Sequence, residues 1–162
     1  ALVGMVGPTV SYCKGSSARI AIVATTATVE SGIYQDAFAM IGKDIRAIAI
    51  PELAGLIEFG APADEIERVV VEAFKNVPRD FDLLILACTH YPLAIEAFKH
   101  ALGDMPIFDP AAAVAERAKA LFWPQEVGDG TTRFLISKDS APFRSLVARM
   151  FPKDAKNIEV LE

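Results

Sequence analysis

The strongest constraint on the fold is a set of short, unbroken apolar runs, each closed by a polar residue or a proline. Ala18–Thr25 reads ARIAIVAT, Ile45–Ile50 reads IRAIAI before Pro51, and Leu83–Ala87 reads LLILA before Cys88. Runs of this length without polar alternation fit strands buried on both faces of a parallel sheet. Helical patterns lie between them. Val29 to Ile41 is stopped by Gly42, and Glu52 to Phe59 forms a short segment. Pro62 to Val77 places Ile66, Val69, Val70, Ala73, Phe74 and Val77 on one face. Tyr91 to Leu102 is stopped by Gly103. A further strand is expected at Leu2–Val6, closed by Gly7-Pro8, with a short helix and loop over Val10–Ser17. Strands alternating with helices through short connections predict an α/β fold, a mainly parallel sheet flanked by helices with right-handed crossovers.

After Gly103 the pattern restarts. Pro106–Phe108 reads as a short strand, Asp109-Pro110 as a turn and Ala111–Phe122 as a helix. Trp123 to Thr132, with Pro124, Gly128 and Gly130, reads as a loop or linker. Arg133–Ser137 is a strand, Ala141–Phe151 a helix with Phe143, Leu146, Val147 and Met150 inward, and Ile158–Leu161 a last strand.

Composition narrows the function. The 162 residues carry a net charge of −5 without a basic run, which disfavours nucleic acid as a partner. Mean hydropathy is +0.33, high for a single domain, and points to large buried strands or an extensive interface. No apolar stretch reaches the roughly 18 residues that span a bilayer, so no membrane partner is expected. Leu2 to Val10 lacks a basic flank and is not a signal peptide. Two cysteines, Cys13 and Cys88, form no disulfide framework, and with two distant histidines they offer no metal-ligand spacing. A reducing, cytoplasmic setting follows. No Gly-rich phosphate loop suggests a nucleotide.

Ligands of parallel sheets bind beyond the carboxyl ends of the strands. Thr25, Pro51 and Cys88 all stand at such ends. Cys88 is followed by Thr89, His90 and Pro92, and Pro92 suits the first turn of a helix. A thiol there meets the positive end of that helix, which favours the thiolate as a nucleophile or a base. The alternative is a buried, inert cysteine. The hydroxyls of Thr25, Thr26 and Thr28 can cap the helix they precede, or bind a carboxylate beside its free N–H groups. His90 can exchange a proton with the thiol, and Glu58 is a candidate to orient the imidazole, although an exposed glutamate is its default reading. Nothing around Cys13 suggests chemistry.

Ala87-Cys88-Thr89-His90-Tyr91-Pro92-Leu93 resembles the glycine-cysteine-threonine-histidine-tyrosine-proline-leucine motif of glutamate racemases, with Ala87 in place of the glycine. Ala24 to Tyr34 resembles the family segment with two threonines three apart, then serine and tyrosine. Pro51 to Glu58, and Arg133–Ser137 with Phe143-Arg144, match further segments in order. The resemblance covers nearly the whole chain. It implies an isomerase that needs no cofactor, in which one cysteine removes the α-proton of glutamate and a second, on the other face, returns one. That activity supplies D-glutamate for peptidoglycan. Cys88 would be one of the two thiols, with His90 assisting it and Glu58 orienting His90. Thr25, Thr28 and Thr89 would hydrogen-bond the substrate. Asp109 matches a family aspartate after a strand and reads as structural. His90 favours glutamate over aspartate, because related aspartate racemases carry glutamate at that position.

The family pattern also holds a first domain with an aspartate-serine-glycine motif and a second catalytic cysteine, in an alanine-cysteine-asparagine-threonine motif. Neither is present here, and Cys13, between Tyr12 and Lys14, does not fit the latter. The expectation is therefore a second racemase domain at residues 1–103, and a segment at 104–162 that completes a first domain lying outside this sequence. Such a chain alone should not racemise glutamate, and its exposed tail helices could support association or a homo-oligomer. An aspartate or other amino-acid racemase, and a non-catalytic amino-acid-binding fragment, are the alternatives. A thiol hydrolase or redox protein is disfavoured, since no Cys-x-x-Cys pair or Gly-rich oxyanion loop is present.

Overall fold

The structure, a computed structural model, describes residues 2–123 and 130–161. Four strands form one parallel sheet: β1 (Ile20–Ala24), β2 (Ile45–Ala49), β3 (Leu83–Leu86) and β4 (Ile107–Phe108), in the order β2-β1-β3-β4. β1 is central and wholly buried. Its side chains alternate between two cores, as the two-residue period of a strand requires. Ala21 and Val23 join Leu84, Leu86, Ile48, Phe74, Tyr91 and Phe98 on one face. Ile20, Ile22 and Ala24 join Ile85, Cys13, Tyr34 and Phe38 on the other. The unbroken apolar runs therefore exist because both faces are covered.

The first face is covered by α4 (Leu53–Glu58), α5 (Ala63–Phe74) and α6 (Ile95–Leu102). α5 carries Asp64 and Glu65 in its first turn, where the helix dipole favours acids. The second face is covered by α1 (Val6–Cys13) and by α3 (Ile33–Ala39), which follows the short α2 (Thr26–Glu30).

Three local expectations are corrected. Leu2–Val6 is not a strand: Val6 opens α1, and Leu2 is 94 % exposed. This run joins neither edge of the sheet, which runs from β2 to β4. Gly7-Pro8, expected to close a strand, lies in the first turn of α1, where proline's missing N–H has no helical partner to lose. Thr9, fully buried, bonds back to the Met5 carbonyl through both its N–H and its hydroxyl, at 3.2 and 2.7 Å. The helix expected over Val29–Ile41 is two helices. They break at Gly32, whose φ of 70° lies in the left-handed region open to glycine without strain.

The third correction bears on the thiol. The helix expected to begin at Tyr91 opens as a 3₁₀ turn over Tyr91–Ala94, and α6 starts only at Ile95. Cys88 therefore precedes the first α-helical residue by seven positions.

Beyond Gly103, β4 pairs with β3, so the main sheet takes its fourth strand from past residue 103. α7 (Ala111–Phe122) packs on α1 and buries none of its 12 residues. Of the loop expected after α7, residues 124–129 lie outside the described residues. β5 (Phe134–Ile136) and β6 (Ile158–Val160) form a separate parallel pair, joined through α8 (Ala141–Met150). Phe134 packs edge-on against Phe143 and Phe151, at ring distances of 6.1 and 5.3 Å. No described helix is long and apolar enough to cross a membrane.

Candidate functional site

The site is built on the carboxyl rim of β1 and β3. The Ala87 N–H donates to the Val23 carbonyl at 2.8 Å, the last rung between these strands. Thr25 and Cys88 follow immediately on adjacent strands, whose spacing is about 4.8 Å. Cys88 continues the alternation of Leu84 and Leu86 and packs partly buried against the face of α4, α5 and α6.

Past Cys88 the chain turns back at once. The Tyr91 N–H donates to the Cys88 carbonyl at 3.2 Å, and the Leu93 N–H to the His90 carbonyl at 3.0 Å. This tight turn folds His90 over the thiol, with Sγ and Nδ1 4.0 Å apart. The other imidazole nitrogen, Nε2, faces Glu58 Oε2 at 3.7 Å. Glu58 is the last residue of α4 and is half exposed, while His90 is one-third exposed. Thiol, imidazole and carboxylate thus stand in one line. A proton can pass between sulfur and Nδ1, and a carboxylate beside Nε2 favours the tautomer with its hydrogen there.

Thr25 caps α2. Its hydroxyl oxygen accepts from the Thr28 N–H at 3.4 Å and lies 3.0 Å from the Thr28 hydroxyl. Two hydroxyls in contact use only one of their two hydrogens, so one O–H is left to donate to a carboxylate. Capping and ligand binding are therefore compatible in this pair.

The structure brings Cys88, His90 and Glu58 together, and Thr25 with Thr28. Thr89 turns elsewhere: it is exposed and lines a groove of about 310 Å³ with Met5, Pro92, Asp109 and Val114. Asp109 Oδ1 accepts from the Ala111 N–H at 2.9 Å and so secures the start of α7. Glu58 also borders a cleft of about 510 Å³ between α4 and α8, opposite Ser145 and Arg149. Cys13 belongs to the other face of the sheet. It is fully buried, and burial pushes its thiol up against the smaller opposing effect of Lys43.

Two buried tyrosines feel the charge of the thiol, Tyr91 from the same face of the sheet and Tyr34 from the other. Burial pushes the Tyr91 phenol far up, and the charge of a Cys88 thiolate adds to this. Burial also raises Tyr34, against a hydrogen bond with Thr9, and Cys88 again contributes upward. Both phenols stay neutral near neutral pH and take no part as charged groups. A buried aromatic at helical spacing carries no signal that separates this position from ordinary packing.

The sequence profile of the Asp/Glu/hydantoin racemase family matches residues 1–118. Glutamate racemase 3 of Caldanaerobacter subterraneus subsp. tengcongensis is 32 % identical over 152 residues, covering 88 % of this chain and 56 % of that protein. The solved glutamate racemase of Aquifex pyrophilus is 31 % identical and superposes with a TM-score of 0.70, over 93 % of this chain and 60 % of that one. The fold is also that of the Francisella tularensis glutamate racemase solved in complex with D-glutamate, with a TM-score of 0.84 at 21 % identity, over 99 % and 63 % of the two chains. The chain thus spans little more than half the length of the curated relative named here.

Proposed function

The chain belongs to the Asp/Glu/hydantoin racemase family, and from that membership we propose that it carries one half of the proton-transfer machinery of a cofactor-independent glutamate racemase. The observation that supports this most directly is the line from Cys88 Sγ through His90 to Glu58, with steps of 4.0 and 3.7 Å, on the rim that also holds the Thr25–Thr28 hydroxyl pair.

The α-proton of an amino acid is very weakly acidic. Its removal needs a base in contact, and fixed donors for the charge that develops on the carboxylate. Cys88 as thiolate takes the α-proton from one face of glutamate and becomes a neutral thiol. The electron pair left on Cα delocalises into the carboxylate, which Thr25 and Thr28 hold by hydrogen bonds, while Thr89, turned into the neighbouring groove, reaches the substrate only if the turn after Cys88 rearranges. A second thiol on the opposite face delivers a proton to Cα and becomes a thiolate. His90 resets Cys88 by moving a proton at Nδ1, while Glu58 holds the imidazole from Nε2. The reverse sequence uses the same groups in exchanged roles.

Cys13 is not that second thiol, since it is buried on the other face of the sheet from Cys88. The partner thiol belongs to a further domain, against which the segment beyond β4 packs and which the rim of β1 and β3 faces across the substrate, while β4 itself stays in the main sheet. In that setting the product, D-glutamate, feeds peptidoglycan assembly in the cytoplasm.

Calorimetric titration with L-glutamate, D-glutamate and L-aspartate, together with polarimetry of each mixture, tests the reading. The expected result is binding of both glutamate enantiomers, at least tenfold weaker for aspartate, with no interconversion by these 162 residues alone. Interconversion at an ordinary enzymatic rate would remove the need for a second thiol. Failure to bind glutamate while binding aspartate would reassign the substrate.

A further inference from the structure

Tyr91 is the largest fully buried side chain among the described residues, yet its polar end is not idle. Its hydroxyl donates to the Ile50 carbonyl at 3.0 Å, across 41 residues of sequence and entirely within the core. Ile50 lies immediately beyond β2, where its N–H still holds the Ala24 carbonyl of β1 at 3.0 Å. From there Pro51 and Glu52 lead into α4, the helix that ends in Glu58. Glu52 has a φ of 64° and is the one non-glycine residue in the left-handed region among the described residues, so the chain enters α4 through a strained link. The 3₁₀ turn that Tyr91 opens packs against α4. The same residue's N–H closes the turn on the Cys88 carbonyl. Tyr91 therefore has one hand on the turn that carries Cys88 and His90, and the other on the strand end that launches Glu58.

We propose that Tyr91 is a positioning residue: it clamps the Cys88–His90 turn to the end of β2 and thereby sets the His90–Glu58 separation. This rests on the proton-transfer reading of Cys88, His90 and Glu58. The separation it governs, 3.7 Å, exceeds an ordinary hydrogen-bond length, so a shift of α4 by a fraction of an ångström decides whether imidazole and carboxylate are coupled. The phenol itself takes no part in the chemistry. Its proton is committed to a backbone carbonyl, and its ring is held by Phe98 at 5.9 Å.

The test is a double-mutant cycle read on the thiol. The alkylation rate of Cys88 by iodoacetamide is measured by peptide mapping in the native chain, Glu58→Gln, Tyr91→Phe and the double variant. Cys13, fully buried, serves as the internal unreactive control. Glu58→Gln should change the Cys88 rate by about threefold or more in the native background, and by less than about 1.5-fold once Tyr91 is phenylalanine, since neighbours in one network couple strongly. A purely structural role for Tyr91 would leave the Glu58→Gln factor the same in both backgrounds, and that result overturns the inference while sparing the relay. A factor of one in the native background overturns both the inference and the relay. If Tyr91→Phe fails to fold, Phe98→Leu loosens the same ring without removing the hydroxyl. It must shrink the Glu58→Gln factor by at least half, and an undiminished factor overturns the clamp.

Discussion

His90 is the residue whose position decides most. It stands between a sulfur and a carboxylate and can hand a proton to only one of them at a time. His90→Asn keeps a polar side chain but removes the titratable ring. It is expected to slow alkylation of Cys88 severalfold with little change in the urea midpoint, because the ring's contacts with Cys88 and Glu58, at 4.0 and 3.7 Å, are too long to contribute much stability. A rate equal to that of the native chain would detach His90 from the thiol. At the opposite rim of the sheet, Arg19 grips Asp82 through two side-chain bonds, at 3.0 and 2.8 Å, and one backbone bond at 3.0 Å. The side-chain bonds from Arg19, followed by its backbone N–H, hold the Asp82 carboxyl down to about 2. A depressed carboxyl in the folded state stabilises above its unfolded value, near 3.8, and the contribution is lost as pH falls through about 2. Urea midpoints of native chain and Arg19→Leu should therefore differ by a constant amount above pH 4 and converge toward pH 2. A gap that widens with acid would contradict the sign.

At the scale of elements, the break between α2 and α3 is the sharpest test of local conformation. Gly32→Ala meets no neighbouring atom closer than 3.8 Å, so any cost is conformational rather than steric. Forcing a Cβ into the left-handed region should destabilise by about 1–2 kcal/mol, read from chemical denaturation. Thr25→Ala removes the cap of α2 and should cost ~1 kcal/mol, while also loosening the hydroxyl pair proposed to hold the substrate. β1 and β3 were legible because burial on both faces leaves little place for polar residues along them, and edge strand β2 because Arg46 is the one interruption of its apolar run. Leu2–Val6 looked the same, yet it joins neither edge of the sheet and Val6 opens α1, an outcome no local pattern encodes. Gly32 was visible in the sequence, but a single glycine inside a helical pattern is tolerated as often as it breaks one. Cys88 and His90 announced themselves through their place at a strand end, and Thr89 only through the resemblance to the family motif. The approach of Glu58 to His90 depended on a return of the chain through β2 and α4. The bond from Tyr91 to Ile50 runs to a backbone carbonyl, and a carbonyl leaves no mark on the identity of its residue.

Across the molecule, the two faces of the sheet are unequal. α4, α5 and α6 seal one face, whereas α7 rests on α1 with every residue at least partly open, and Tyr12, Leu121 and Trp123 expose 60, 38 and 65 % of their surface. If α7 packs against a further domain, as proposed, the chain on its own should self-associate through this side. Light scattering should then give a mass above 17.4 kDa at high concentration, and Leu121→Glu should return it to that of one chain. An unassociated native chain would place the missing cover elsewhere. The order β2-β1-β3-β4 has a temporal side as well. β1 lies between partners that arrive one after the other during synthesis: β2 follows it closely, but β3 comes 63 residues later, the separation between Arg19 and Asp82. A ribosome adding about 5–20 residues per second leaves one edge of the wholly buried strand β1 open for several seconds. In that interval, the unpaired edge of β1 is a natural surface for a chaperone.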